Sequence, residues 1–316
     1  MEMIFQLLLL VLGFVFLVKG SDWFVDGAAG IATKFGIPQL IVGLTIVAMG
    51  TSAPEAAVSI TAAMNGSADI TIGNIVGSNI LNVLIILGLS AVVFPLTVDK
   101  DTIKFDIPVT IFATLLLIIL GKDGNITRID GIILLAIFVT YLLILIRKAK
   151  KSQTQNTEGI SEENADEKPK SMIMLLVMIL GGLAMVIFGS RFVVISASFF
   201  ARQFGLSERF IGLTIVALGT SLPELFTSVV AASKKNCDIA IGNIIGSNLF
   251  NILFVVGLSS LIIPVPFASA FRIDSLIALV SVAALLLFCL PKKRLSRFAG
   301  AIFLISYVAY FVFWLV

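Results

Sequence analysis

The segment Gly43–Glu55 reads GLTIVAMGTSAPE and Gly212–Glu224 reads GLTIVALGTSLPE, so eleven of thirteen positions are identical at an offset of 169 residues. The same offset aligns DITIGNIVGSNILN (Asp69–Asn82) with DIAIGNIIGSNLFN (Asp238–Asn251), where ten of fourteen positions agree. A constant offset over separate segments indicates an internal duplication of the chain. Each copy of the first motif is apolar until it reaches a single glutamate.

The composition predicts that lipid surrounds most of the chain. Of the 316 residues 59% are hydrophobic and 13% are charged, and the mean hydropathy is +1.10, whereas soluble domains average about 25% charged residues. Ten stretches have roughly the 20 apolar residues that a membrane-spanning helix needs: 3–19, 39–62, 70–94, 105–121, 129–147, 172–190, 208–232, 239–263, 272–290 and 297–316. We therefore expect an all-α polytopic membrane protein with ten transmembrane helices in a lipid bilayer.

Composition also excludes several functions. The net charge of +3, without a basic block beside aromatic residues in a soluble region, does not indicate a nucleic-acid partner. The absence of histidine excludes His-ligated metals and His-based catalysis. Cys237 and Cys289 lack the spacing of a metal site, so we expect two free, small hydrophobic residues. No cofactor and no obligate protein partner is evident.

A charged segment divides the chain into two halves. Residues 148–170 read KAKKSQTQNTEGISEENADEKPK, and because this segment has no apolar period to stabilise a fold, we expect a flexible loop. It separates two five-helix repeats, 1–147 and 171–316. Because five is an odd number, the second repeat enters the membrane from the opposite side, so the repeats must be inverted about an axis in the membrane plane.

Loop charges set the expected orientation, because Lys and Arg accumulate in cytoplasmic loops. With the N-terminus outside, sixteen of the 22 Lys and Arg residues fall on the cytoplasmic side. We therefore expect a protein of the cell (plasma) membrane with both termini extracellular and the 148–170 loop in the cytoplasm.

Glu55 and Glu224 are the only two of the nineteen acidic residues that lie well inside predicted spans. An ionisable side chain at mid-bilayer costs on the order of 2.5–3.5 kcal/mol even on insertion scales. The only Lys or Arg in these two spans is Arg209, which lies at the start of 208–232, fifteen residues from Glu224, so neither glutamate has a neutralising partner nearby in its span. The two carboxylates therefore call for cations from outside the protein, either protons or metal ions.

Oxygen-bearing side chains accompany each glutamate at helical spacing. Thr51 and Ser52 precede Glu55 by four and three residues and so share its helix face, and Pro54 predicts a kinked or broken helix that frees main-chain carbonyls. The same spacings recur elsewhere: Thr220, Ser221 and Pro223 with Glu224, Ser78 with Asn82, and Ser247 with Asn251. Hard oxygen ligands suit Ca²⁺ rather than zinc or copper, and Mg²⁺ is less favoured because it dehydrates reluctantly.

Each of these features also has a packing interpretation. Gly, Ser and Thr at short spacings permit close helix contacts in membranes. Four further asparagines are expected simply to hydrogen-bond across helices: Asn74, Asn79, Asn243 and Asn248. Packing does not explain why an unneutralised glutamate occurs twice within the same polar shell.

GTSAPE and GTSLPE, each followed by an IGN-x-x-GSN segment, resemble the α-repeats of the cation/Ca²⁺ exchanger superfamily, in particular the prokaryotic sodium/calcium exchangers. The resemblance covers both halves. It implies ion sites at broken helices in the centre, between spans 2, 3, 7 and 8, with spans 1 and 6 sliding across the core. The ligands it implies are the carboxylates of Glu55 and Glu224, the hydroxyls or carbonyls of Thr51, Ser52, Ser78, Thr220, Ser221 and Ser247, the amides of Asn82 and Asn251, and, for Na⁺, the carbonyls of Ala48 and Ala217.

Two departures from relatives are informative. Some relatives, including potassium-dependent exchangers, carry Asp at the position of Asn251, and since an amide cannot ionise, the sequence argues against a K⁺ requirement. The 148–170 loop is also too short to hold the Ca²⁺-binding regulatory domains of animal exchangers.

These observations predict an antiporter rather than an enzyme. It would exchange Na⁺ for Ca²⁺ by alternating access and normally extrude cytoplasmic Ca²⁺. A Ca²⁺/H⁺ exchanger with the same two carboxylates stays open as an alternative. An intramembrane hydrolase would use the carboxylates as a dyad but needs no duplicated hydroxyl and amide shell, and inverted repeats with broken helices favour a carrier over a channel.

Overall fold

The computed structural model describes residues 2–157, 170–206, 215 and 217–315, and within these ranges the chain is helical apart from four short strands. The α-helices of the first half are α1 Glu2–Phe35, α2 Gln39–Val42, α3 Ala48–Thr51, α4 Ala53–Met64, α5 Asp69–Leu81, α6 Gly88–Val93, α7 Ile107–Leu120 and α8 Arg128–Thr157. Those of the second half are α9 Met172–Gln203, α10 Ala217–Thr220, α11 Leu222–Ser233, α12 Cys237–Leu249, α13 Gly257–Ile262, α14 Ala270–Cys289 and α15 Arg297–Leu315.

Among the described residues, seven helices are long and apolar enough to cross a membrane, and there are eight if the bent pair Gln39–Thr51 and Ala53–Met64 is counted as one span. The predicted span 208–232 falls partly outside the described residues, and its described part includes the shorter apolar helix Leu222–Ser233. The predicted span 297–316 corresponds to another shorter apolar helix, Arg297–Val312. The all-helical membrane class is therefore confirmed, whereas the count of ten spans stays a prediction.

The first helices of the two halves, α1 and α9, pack closely against each other in antiparallel directions. A Cβ added to Gly20 would lie 2.8 Å from the carbonyl oxygen of Gly182, and one added to Gly13 would lie 3.0 Å from that of Gly189. Such short separations require glycine, because a side chain would hold the two backbones apart. The outer face of α1 exposes large apolar side chains such as Ile4 and Leu8, as a lipid-facing helix does.

The helices at the centre of the protein are α5 and α12. Each continues through a π-helical turn, Asn82–Leu87 or Phe250–Val256, into α6 or α13. In the apolar windows of these two spans, 78% and 94% of the residues are buried, against 17% in α1. The small residues of the duplicated GSN motifs thus lie in the interior of the fold, where small side chains let helix backbones approach closely.

Short β-ladders join the two halves at their ends. The strands are β1 Leu96–Thr97, β2 Asn125–Ile126, β3 Val265–Pro266 and β4 Arg294–Leu295. β1 pairs antiparallel with β4, and β2 pairs antiparallel with β3. Each ladder therefore takes one strand from each half, so loops of both halves are fixed to one another.

The last helix of the first half extends into the segment that composition predicted to be a loop. α8 continues past Lys148 to Thr157, and residues 158–169 lie outside the described part of the chain. The extension has tertiary support, because the Gln153 side-chain amide donates a hydrogen bond of 2.7 Å to the carbonyl oxygen of Phe35. A charged composition alone does not reveal such a contact.

Candidate ion-binding site

The duplicated glutamate motif interrupts a membrane helix, as Pro54 predicts. Ser52 leaves the helical region with φ −82° and ψ 7°, and the helices on either side of it are bent by 50°. In the second copy Ser221 has φ −91° and ψ 4°, and Pro223 again lies in the first turn of the next helix. Proline supplies no N–H for the preceding turn, so the helix restarts at both serines.

The two glutamates are fully buried, and each accepts a hydrogen bond from the opposite half of the chain. Ser52 Oγ donates to Glu224 Oε1 at 2.7 Å, and Ser221 Oγ donates to Glu55 Oε1 at 3.2 Å. Both carboxylates are 0% exposed. The remaining oxygen of each, Oε2, has no hydrogen-bond partner among the described residues. The site is therefore built crosswise, and each half completes the surroundings of the other half's acid.

Hydroxyl groups and a main-chain carbonyl extend this site. Ser78 Oγ lies 3.1 Å from Ser221 Oγ and 3.5 Å from Glu55 Oε1. On the other side, Ser247 Oγ donates to the carbonyl oxygen of Ala48 at 3.4 Å. Thr51 Oγ1 lies 3.3 Å from the same carbonyl oxygen and 3.0 Å from Asn243 Oδ1, and its one proton is shared between these acceptors. The structure thus brings the predicted serines together with the glutamates and makes the Ala48 carbonyl part of the same polar centre.

The remaining predicted residues of the second copy are only partly described. Thr220 is half-buried and interacts with the Glu55 carboxylate. Ala217 begins α10, while residues 207–214 and 216, which include part of the repeated motif, lie outside the described residues.

Asn74 and Asn243, for which the sequence predicts only hydrogen bonds across helices, hold the main chain at the two glutamates. The Asn74 amide donates to the Glu55 carbonyl at 3.2 Å, and the Asn243 amide donates to the Glu224 carbonyl at 3.4 Å. The same amides also donate, at 2.9 Å, to two hydroxyls that sequence reasoning missed: Ser59 and Ser228. The missed serines follow the glutamates by four residues, and that helical spacing is the signal that was available.

Four asparagines form a network between α5 and α12 and the turns that follow them. Asn79 Nδ2 donates to the Asn248 carbonyl at 3.2 Å, and Asn248 Nδ2 donates to the Asn79 carbonyl at 3.4 Å. Asn82 Nδ2 donates to Asn248 Oδ1 at 3.0 Å, and Asn251 Nδ2 donates to Asn79 Oδ1 at 3.2 Å. The expected bonding across helices is confirmed. The two asparagines predicted as ligands, Asn82 and Asn251, are hydrogen-bonded to Asn248 and Asn79, which were not predicted as ligands.

Unsatisfied carboxylate and amide oxygens are concentrated at this centre, whereas the other unpartnered buried side-chain atoms of the described residues are hydroxyls. Besides the two glutamate Oε2 atoms, the Oδ1 atoms of Asn82 and Asn251 are buried without a partner in the described structure. Buried polar atoms are normally paired, so unpaired ones need a ligand or another explanation. No group of three or more His, Cys, Asp or Glu side chains in the described residues could hold a metal ion, so a cation here would depend on hydroxyl and amide oxygens as well.

Two further buried acids lie outside this centre. Asp106 accepts a hydrogen bond of 3.1 Å from the hydroxyl of Tyr141, and Asp274 accepts one of 3.1 Å from Tyr310. Both lie near the ends of predicted spans, as the sequence indicates, and each is satisfied by a tyrosine of the next helix. They therefore resemble structural hydrogen bonds, unlike the glutamates with their free oxygens. The two cysteines are free and buried, as predicted.

Beside α1 and α9, one end of the helix bundle holds a cluster of ion pairs and the other end holds a cavity. At one end, Lys234 Nζ lies 2.6 Å from carboxylate oxygens of both Asp22 and Asp26 on α1. Partial burial opposes the charge of this lysine, but its hydrogen bonds to the two aspartates outweigh that effect and raise the pKa of Lys234. At the other end, Asn65 and Arg191 line a cavity of about 520 Å³ beside α4.

Comparison with known proteins places this arrangement in context. The model of the family described as "Sodium/calcium exchanger protein" matches residues 5–147 and 174–316. The chain is 40% identical to the inner membrane protein YrbG of Escherichia coli, over 81% of this chain and 79% of the relative. It is 33% identical to the sodium/calcium exchanger MaX1 of Methanosarcina acetivorans, over 96% and 97%.

A more distant relative carries a different coupling ion in its name. The chain is 25% identical to the Ca²⁺/H⁺ antiporter ChaA of Bacillus subtilis, over 81% of this chain and 78% of the relative. Among solved structures, the sodium-calcium exchanger NCX_Mj soaked with Na⁺ and Sr²⁺ superposes with a TM-score of 0.85 at 33% identity, over 98% of this chain and 99% of that chain. The helical architecture described above is thus that of a membrane exchanger.

Proposed function

The chain belongs to the sodium/calcium exchanger protein family, and we propose that it is an antiporter that exchanges Na⁺ for Ca²⁺ across the plasma membrane and normally extrudes cytoplasmic Ca²⁺. The observation that supports this proposal best is the pair of fully buried glutamates with free Oε2 atoms, each bonded by a serine of the opposite half. Two carboxylates balance one divalent charge, and the surrounding oxygens suit a hard cation.

Each predicted ligand has a place in this proposal. Glu55 and Glu224 supply the charge for Ca²⁺, with the hydroxyls of the GTS and GSN motifs and the Asn82 and Asn251 amides beside them. The Ala48 carbonyl, and by repeat symmetry the Ala217 carbonyl, serve Na⁺. Because Na⁺ and Ca²⁺ compete for the same carboxylates, binding of one displaces the other, and that competition is the basis of exchange.

Coupling follows from the energetic cost of an empty site. Two uncompensated carboxylates in a low-dielectric interior are expensive, so the protein changes face only when cations neutralise them. The proposed change is a slide of the α1–α9 pair across the core, which alternates access from one side of the membrane to the other. The close glycine contacts between α1 and α9 support their movement as one unit.

The architecture that we propose has ten transmembrane helices in two inverted five-helix repeats. The antiparallel α1–α9 pair and the crosswise serine–glutamate bonds support the inversion, because equivalent elements of the two halves meet about a two-fold axis. Both termini are extracellular and the connector between the halves is cytoplasmic in this arrangement. The cavity beside Arg191 then opens outward, and the Lys234 ion cluster holds the cytoplasmic end of α1.

The proposal is tested by Ca²⁺ uptake into proteoliposomes that contain the purified protein. Vesicles loaded with Na⁺ and diluted into Na⁺-free medium with radioactive Ca²⁺ should accumulate Ca²⁺. Vesicles with an outward H⁺ gradient and no Na⁺ should not. No uptake under either gradient would mean that Ca²⁺ is not the transported ion.

Glu224→Gln tests the site within the same assay. The substitution keeps the size and removes the charge, so uptake should fall nearly to the level of empty vesicles while the protein stays correctly inserted. Asp274→Asn is the matched control, because Asp274 is also a buried acid of the membrane region but bonds Tyr310 far along the chain from the motifs. Wild-type rates in the Glu224→Gln protein would refute the site.

Ca²⁺/H⁺ exchange is the second candidate, because the same two buried carboxylates can bind protons instead of metal ions, and one relative is named a Ca²⁺/H⁺ antiporter. Uptake driven by the H⁺ gradient alone would retain the site and the fold and replace the coupling ion.

A further inference from the structure

The orientation of two buried amides at the centre is dictated by chemistry alone. A main-chain carbonyl oxygen can only accept hydrogen bonds, so the nitrogen of Asn79 must face the Asn248 carbonyl and that of Asn248 must face the Asn79 carbonyl, as observed at 3.2 and 3.4 Å. The Oδ1 atom of each amide then points away from that carbonyl and faces a neighbouring asparagine: Asn79 Oδ1 faces Asn251, and Asn248 Oδ1 faces Asn82. Since an oxygen requires a donor, Asn251 and Asn82 must turn their amide nitrogens toward them.

As a consequence, the side-chain oxygens of Asn82 and Asn251 point away from the hydrogen-bonded pair Asn79 and Asn248. Their nitrogens are occupied, at 3.0 and 3.2 Å, and their Oδ1 atoms are buried without a partner in the described structure. Asn82 lies one turn beyond Ser78, which faces Glu55, and Asn251 lies one turn beyond Ser247. An amide in this orientation offers a cation an oxygen, whereas the reversed amide would offer it two N–H groups.

We propose that Asn79 and Asn248 are positioning residues that hold Asn251 and Asn82, respectively, with the side-chain oxygen toward the bound cation. This inference rests on the proposed function, because it concerns the affinity of the same site for Ca²⁺. Asn79 and Asn248 do not touch the ion. Each acts through a partner amide, and one main-chain carbonyl at the start of each chain of hydrogen bonds fixes the orientation of both amides in that chain.

The alternative is that Asn79 and Asn248 only hold α5 and α12 together. The two roles differ in what happens when the partner amide becomes a carboxylate. Aspartate has an oxygen at both positions, so its orientation does not matter to a cation. An ionised aspartate cannot donate to Asn79 Oδ1, so Asn251→Asp removes the bond through which Asn79 would orient residue 251. The bond from Asn79 Nδ2 to the Asn248 carbonyl, which would carry a packing role, does not involve residue 251 and is therefore the same in both backgrounds.

The experiment is therefore a double-mutant cycle read as the KM for Ca²⁺ in Na⁺-driven uptake by proteoliposomes. Asn79→Ala should raise that KM about tenfold, as expected for the loss of one buried hydrogen bond. In the Asn251→Asp protein the same Asn79→Ala change should alter the KM by less than about twofold. The mirror pair, Asn248→Ala with and without Asn82→Asp, should behave in the same way.

Tyr141→Phe serves as the control for an ordinary buried contact, because it removes the 3.1 Å hydrogen bond between Tyr141 and Asp106 away from the site. It should lower the thermal melting temperature without changing the KM for Ca²⁺. Equal KM increases from Asn79→Ala in both backgrounds would overturn the positioning role, and so would a failure of both alanine variants to fold. Loss of Na⁺-driven uptake in the wild-type protein would instead overturn the proposed function itself.

Discussion

Gly182→Ala should separate the α1–α9 pair, and the structure gives the size of the effect. The new Cβ would lie 2.7 Å from both the Gly20 carbonyl oxygen and the Phe24 amide nitrogen, whereas ordinary contacts begin at 3.4 Å. Both obstacles are backbone atoms, which cannot rotate away, so the helices must move apart by about 0.7 Å. Overpacking of this kind costs roughly 1–3 kcal/mol.

Gly181→Ala is the matched control, because a Cβ at that position meets no atom within 4 Å in the part of the chain that the structure describes. Both substitutions gain the helix propensity of alanine, about 1 kcal/mol. The difference between the two variants therefore isolates the clash, at about 1–3 kcal/mol. Thermal melting of the purified protein in detergent measures it, and Gly182→Ala should melt several degrees below Gly181→Ala. Equal melting temperatures would refute the close glycine contact.

Three further predictions concern the ends and the centre of the bundle. The folded-state pKa of Lys234 is raised, so its ion cluster stabilises the protein fully at pH values below the unfolded-state pKa of about 10.4. That stabilisation is lost as the pH rises through the folded-state pKa, and the melting temperature of the Lys234→Met protein should not show this alkaline loss. Ser221→Ala removes the 3.2 Å bond to Glu55 and should raise the KM for Ca²⁺ about tenfold, while an unchanged KM would remove Ser221 from the site. Gly246→Ala would place a Cβ 2.7 Å from that of Ala48, whose carbonyl is the proposed Na⁺ ligand. The affinity for Na⁺, measured from the Na⁺ dependence of Ca²⁺ release, should therefore fall more than the affinity for Ca²⁺.

The residues of the candidate site and the break in the helix could be predicted from sequence because the motif is repeated, whereas ion binding at these residues stays a prediction. Duplication singled out Glu55 and Glu224 from ordinary polar residues, and the proline after each serine predicted the break in the helix. These are local patterns, since spacing along one helix decides which side chains share a face. The side chains proposed as ligands come from such patterns, whereas the Ala48 and Ala217 carbonyls come from the resemblance to the exchanger superfamily.

The pairing between the halves could not be predicted in the same way. Ser52 and Glu224 are 172 residues apart, and no spacing rule states that each serine bonds the glutamate of the other half rather than its own. Bonding of Asn79 and Asn248 across helices was expected, but the sequence does not show that each bonds the main-chain carbonyl of the other, because such an asparagine resembles any packing residue in sequence. The extension of α8 to Thr157 depends on contacts with other helices, which composition does not encode.

The reciprocal hydrogen bonds between Asn79 and Asn248 have the symmetry of a dimer interface. Asn79 donates to the carbonyl of Asn248 and Asn248 donates to that of Asn79, which is the isologous pattern that two identical subunits form about a two-fold axis. In this protein the two subunits are the halves of one chain. In the inverted arrangement proposed above, separate single repeats with the same centre would have to insert in both orientations in one membrane, and joining the two halves in one chain fixes their ratio at one to one.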